Sequence, residues 1–155
     1  MLFSNKNDYD SSSDTLTHQK RVEHFINIIM CELAERCRCH DDSKLKYPEK
    51  EIFDKYTPKL KNLPYGSTEY YDTLKNMKVA LDHHYENNRH HPEHFEDGIQ
   101  DMTLVDLIEM FCDWTASCER TENGNIFESI NMNQSRFNFS DDLKRIFINT
   151  ASELF

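Results

Sequence analysis

The sequence predicts an all-α protein, a single-domain bundle of about six helices, and three observations carry that expectation. Only three glycines and four prolines interrupt 155 residues. Long stretches repeat Leu, Ile, Met and Phe at helical spacing among Lys and Glu, and alternating strand-like runs are few. A chain of this length suffices for one buried core. The opening MLFSNKNDYDSSSD is polar and rich in Ser and Asp, so residues 1–14 are expected to form a flexible arm, not a signal peptide, ahead of a helical domain over residues 15–155.

Ser13 or Asp14 suits the N-cap of a first helix ending near Cys37, with His18, Val22, Phe25, Ile29 and Leu33 on one stripe and His24 off it. Pro48 fits the first turn of a second helix reaching about Lys61, and LPYGS breaks the chain. Ser67 caps a third, long helix whose Tyr70, Leu74, Met77, Leu81 and His84 share a face, with His83 on the opposite side. Residues 87–102 contain Pro and Gly without a period and are expected to form a long functional loop. Thr103 and Asp106 resemble a capping box for a helix to about Arg120. Its apolar stripe is Leu104, Leu107, Ile108, Phe111 and Thr115, while Asp106, Glu109 and Asp113 lie on the other face, which is either solvated or part of a site. Asn123-Gly124 forms a turn, a short helix spans Ile126 to about Asn133, and Ser140 caps a last helix carrying Leu143, Ile146, Phe147 and Leu154.

Charge and cysteine usage narrow the function classes. A net charge of -10 repels polyanions, which argues against an extended nucleic-acid surface. Lysines 44, 46, 50, 55, 59 and 61 nevertheless concentrate in one segment, where a small phosphate could be met. No apolar run reaches the roughly 18 residues of a membrane-spanning helix, so no membrane is expected as a partner. The five cysteines, at 31, 37, 39, 112 and 118, are expected to be buried free thiols of a cytoplasmic protein. Cys37, Cys39 and His40 lack a second ligand pair for a zinc site.

The chemistry-bearing signal is histidine. Six of the eight lie between His40 and His94. Neutral imidazole with carboxylate makes a transition-metal first shell, and helices of a bundle can converge on such a site. The candidates are His18, the adjacent His40 and Asp41, His84, and Asp106 or Asp113. A histidine on an apolar stripe is also a common core residue, and His90 and His91 can simply shape their loop.

HQKRV at 18–22, HDDSK at 40–44 and MFCDWTAS at 110–117 together resemble the HD superfamily of metal-dependent phosphohydrolases. More narrowly, HDDSKL, PYGSTEY, LDHHYENNRHHPEHFEDGIQDMTLVDLIEMFCDW and ERTENGNI resemble uncharacterised phage and bacterial proteins of HD type, over nearly all of Thr15 to Thr150. The resemblance implies an HD-like helical fold and a metal held by His18, His40, Asp41 and Asp113. His84, with His90 or His91, would serve a second metal or contact phosphate, and Lys44 would neutralise the phosphate. Asp42 and Ser43 depart from the apolar-Gly pair usual between Asp and Lys, which leaves one or two ions open.

The resulting expectation is a hydrolase of a small phosphoester, most simply a nucleotide, using water activated by one or two divalent ions of Mn, Fe, Co, Ni or Zn. Lys44 and Arg89, with His90 and His91, would meet the phosphate, and Asp42 or Glu93 would relay a proton. Two rivals keep the fold: a di-iron oxygenase of HD type, and a non-catalytic phage protein that binds a host partner in the host cytoplasm. Oligomeric state is not specified by any of these residues.

Overall fold

The computed structural model describes residues 9–64, 67–120 and 123–155, so most of the predicted arm, the Tyr65-Gly66 part of the predicted break and the approach to Asn123-Gly124 lie outside the described residues. Among the described residues there are seven α-helices and no strand: α1 Ser12–Cys39, α2 Glu49–Leu60, α3 Thr68–Asn76, α4 Lys78–Asn87, α5 Leu104–Cys118, α6 Ile126–Phe137 and α7 Asp141–Leu154. The all-α expectation holds. No helix among these residues is long and apolar enough to cross a membrane.

The helix starts follow local chemistry. Ser67 accepts from the Tyr70 amide, Ser140 from the Leu143 amide, and Asn125 from the amides of Phe127 and Glu128. Thr103 and Asp106 form the reciprocal capping box at the head of α5. Asn138, in the left-handed region at φ 51°, closes α6 by donating its amide to the Gln134 carbonyl. Gly124 stands so close to the end of α5 that a Cβ there would fall 1.8 Å from the Cys118 carbonyl oxygen, which excludes any larger residue.

Two bodies pack around α5. On one side α5, α6 and α7 enclose an apolar core of Met102, Met110, Phe111, Trp114, Ile130, Phe139, Phe147 and Ala151. Phe111 stacks on Phe147 with ring centroids 5.1 Å apart. On the other side α5 meets the last turns of α1, and α2 packs against α4, so that the polar residues of these elements face one another.

Several expected details change. The long third helix is two, because Met77 (φ −94°, ψ 0°) leaves helical geometry between α3 and α4 while its side chain stays buried. The Asn76 side chain also donates through Nδ2 to the Asp72 carbonyl, competing locally with the helical ladder. α1 starts at Ser12, and α6 extends to Phe137. Leu104, Ile146 and Leu154 are exposed; Phe111 and Phe147 are buried as expected, and Met110, Trp114 and Ala151 join them as the inward residues of α5 and α7. The His18–Ile29 part of the α1 stripe is bare too, with Phe25 54% exposed, because α5 begins only at Leu104 and covers no more than the C-terminal end of α1.

Candidate metal centre

Helix α1 ends at a backbone turn that decides where its His-Asp pair points. His40 leaves the helix at φ −52°, ψ 126°, and Asp41 sits in the left-handed region at φ 59°, ψ 14°. That conformation costs a non-glycine residue about 1–2 kcal/mol, and Asp is among the few side chains that tolerate it. The chain then folds back through a 3₁₀ turn at Asp42–Leu45, begun by the Lys44 amide donating to the Asp41 carbonyl at 2.8 Å. As a result His40 Nε2 lies 3.6 Å from Asp41 Oδ2 and 3.7 Å from Asp113 Oδ1 on α5.

The loop after α4 supplies two more imidazoles. Asn88 donates to the His84 carbonyl at 2.7 Å and to Ser43 Oγ at 2.8 Å, tying the end of α4 to the turn after Asp41. His84 Nε2 then faces Asp41 Oδ1 at 3.3 Å and His91 Nε2 at 2.9 Å, while His90 Nε2 lies 3.5 Å from Asp41 Oδ1. One ligand atom from each of Asp41, His84, His90 and His91 falls within a 4.8 Å group, and His40, Asp41 and Asp113 form a second such group sharing Asp41.

Two carboxylates, Glu49 buried and Glu109 partly buried, orient these rings from behind. Glu49, fully buried in the first turn of α2, accepts from His83 Nδ1 at 2.7 Å and His84 Nδ1 at 2.9 Å. Glu109 on α5 accepts from His40 Nδ1 at 2.9 Å and lies 3.2 Å from His90 Nδ1. A carboxylate at Nδ1 assigns the proton to that nitrogen and leaves the Nε2 lone pair of His84 and of His90 facing inward. Those lone pairs meet Asp41 Oδ1, itself a pure acceptor. Asp41 Oδ1 and His90 Nε2 are buried and, among the described residues, make no hydrogen bond. Two of the three converging acceptors therefore lack a donor and the third, His84 Nε2, has only His91 Nε2 beside it, a costly arrangement that a cation relieves.

Local charges suit the same purpose. Burial, then Lys44, lowers the His84 pKa, and burial reinforced by His90 and His84 drives His91 down to about 2, so both rings stay neutral, the form that ligates. The Asp113 carboxylate close by and the hydrogen bond to Glu109 raise His40 to about 10. Burial opposes ionisation of Glu109 and Asp113, yet the histidine hydrogen bonds outweigh it and hold both carboxyls below their ordinary range. The pocket is therefore a concentrated field of carboxylate and imidazole, suited to a divalent transition metal.

Of the residues named from sequence, His40, Asp41, His84, His90, His91 and Asp113 come together, with Lys44 Nζ donating to Asp41 Oδ2 at 2.6 Å. His18 does not join them: it lies 22 residues before His40 on one continuous helix, about 33 Å away at 1.5 Å rise per residue, and is exposed. Asp106 is not in the group either, since Arg36, Arg89 and Thr103 surround its buried carboxylate. Arg89 is thereby committed to Asp106 in a two-pronged contact at 3.1 and 2.9 Å and is not a free phosphate ligand. Glu93 pairs with Arg136 at the surface, and Asp42 is exposed outside every His/carboxylate group, so neither is placed to relay a proton. His83, expected on the side opposite His84, reaches the same carboxylate, Glu49. Of the cysteines expected to be buried, Cys31, Cys37 and Cys112 are exposed.

Glu49 and Glu109 are the functional residues that sequence reasoning misses. Glu109 was visible only as part of a polar helix face, and nothing in the sequence around Glu49 distinguishes it from an ordinary first-turn acid.

A family model described as a family of unknown function, DUF5662, matches residues 7–153. No curated protein and no solved structure matches the chain.

Proposed function

The chain belongs to DUF5662, and on that premise we propose that it is a metal-dependent hydrolase of small phosphoesters. The observation that carries the reading is the convergence of Asp41 Oδ1, His84 Nε2 and His90 Nε2, two of them buried without a hydrogen bond, with Glu49 and Glu109 holding the rings from behind. His84, His90, His91 and Asp41 would hold one ion, and His40 and Asp113, with the other Asp41 oxygen, would hold a second. A divalent ion there supplies a water acidic enough to ionise near neutral pH and a Lewis acid for a phosphoryl oxygen.

The protein's own groups divide the remaining work. Lys44 neutralises Asp41 Oδ2 and, being partly exposed, has its ammonium where an entering phosphate would meet it. Glu49 and Glu109 fix the tautomer of their imidazoles and raise their basicity. Arg36, bound to both Asp106 and Glu109, locks α1 to α5 and so holds His40 beside Asp113. The likeness of HDDSK and MFCDWTAS to HD phosphohydrolases supports the reaction class, with the departure that His18 stands outside the cluster.

Phosphate release tests the proposal. Protein stripped by chelator and reloaded with Mn, Fe, Co, Ni or Zn is expected to release phosphate from small phosphomonoesters with at least one of these metals. Asp41→Asn is expected to reduce the rate at least a hundredfold, whereas Asp42→Ala and Glu93→Ala stay within about threefold of the parent. No release with any metal, or a rate indifferent to Asp41→Asn, would overturn it. The same four-histidine, two-aspartate set also suits a pair of irons. Oxygen consumption by the iron-loaded protein without phosphate release would assign that chemistry instead.

A further inference from the structure

Beside the cluster, α1 and α5 leave a cleft of about 390 Å³ that shares His40 and Asp113 with the proposed site. That is at the small end of the roughly 300–1,000 Å³ typical of small-molecule pockets. Its walls are Leu33, Cys37, Ile108, Cys112 and Ala116. The polar members are already committed: Arg36 to Glu32, Asp106 and Glu109, and Glu109 to Arg36, His40 and His90. Cys37 and Cys112 act in this wall as small apolar groups.

Resting on the hydrolase reading above, we propose that the organic half of the substrate is an alkyl or aryl group seated in this cleft, with its phosphate at His40 and Asp113, so that the substrate class is an apolar phosphomonoester and not a nucleotide. A nucleotide brings ribose hydroxyls and a base edge that need hydrogen-bond partners, and polar groups buried without them cost more than their area returns. Apart from His40, which the phosphate takes, this cleft has no uncommitted side-chain donor with which to read them. An alkyl or aryl group loses nothing on entry, and each methylene it buries is worth about 0.8 kcal/mol, a factor of about four.

The test uses the full-length protein loaded with manganese or zinc. Binding of non-hydrolysable methylphosphonate, hexylphosphonate and naphthylmethylphosphonate is measured by calorimetry, alongside phosphate release from methyl, hexyl and naphthyl phosphate and adenosine monophosphate. Hexyl and naphthyl ligands are expected to bind at least thirtyfold more tightly than methyl, with kcat/KM in the same order and adenosine monophosphate no better than methyl phosphate. Ala116→Phe, which fills the cleft from an exposed helix position, is expected to remove most of that advantage, so that hexyl and naphthyl ligands bind no more than about threefold better than methyl. Apolar-selective binding that Ala116→Phe abolishes, with no ester turned over, would support the cleft while sinking the hydrolase reading. Turnover that prefers adenosine monophosphate, or is equal for methyl and naphthyl esters, would overturn the cleft while keeping the hydrolase. Equal or absent phosphonate binding would overturn it as well.

Discussion

Helix α5 is buried along two faces, and the two could hardly differ more. Met110, Phe111 and Trp114 enter a dry core closed by Ile130, Phe139 and Phe147. A third of a turn away, Asp106, Glu109 and Asp113 enter a core built of Arg36, His40, Arg89 and His90. The dry side holds the fold together through area removed from water. The polar side spends folding energy on desolvated charge, which is stable only when every group has a partner. Most do, and the two buried side-chain atoms that do not among the described residues, Asp41 Oδ1 and His90 Nε2, mark where a ligand is expected. In this molecule the imperfectly satisfied core is the informative one.

Substitutions can separate the two regions, and the largest effect belongs to the dry side. Phe147→Ala removes a ring packed on Phe111, Trp114 and Phe139 and is expected to cost about 3–5 kcal/mol, measured by urea denaturation. Metal bound per folded chain should be unchanged; a parallel loss of metal would show that the two cores are one cooperative site. Glu49→Gln should behave in the opposite way. A carboxylate serves both His83 and His84, whereas an amide oxygen serves only one, so a stability cost of about 1–3 kcal/mol and a metal affinity lower by about 10–100-fold are expected. Calorimetric titration showing parent affinity would remove Glu49 from the ring-orienting role. The smallest effect should come from Thr103→Ala, which opens the capping box at the head of α5 for about 1 kcal/mol in thermal melts. A larger loss there would mean that Thr103 supports the Asp106 network more than the helix end.

Much of the fold was legible because caps are local. Ser67, Thr103 and Ser140 announce their helices within four residues, and the structure starts each helix there. What periodicity cannot reveal is the environment a face meets. The His18 stripe is correctly drawn on α1, yet the element that would cover it begins too late to do so; the acidic face of α5, by contrast, looks solvated in sequence and is enclosed in space. His40, Asp41, His84 and Asp113 could be nominated because HDDSK, an apolar stripe and MFCDWTAS single them out. The placement of His90 and His91 depends on how a loop returns to α4, and that of Glu49 on how α2 docks. Such long-range packing leaves no trace in local spacing.

The central claim is that Asp41, His84 and His90 form a cation site, and cobalt titration of chelator-stripped protein tests it most directly. Binding of at least one cobalt ion per chain is predicted, with visible d–d absorption and a raised melting temperature, both lost in His90→Ala protein that still folds. A parent chain that neither develops the absorption nor gains stability at millimolar cobalt would contradict it.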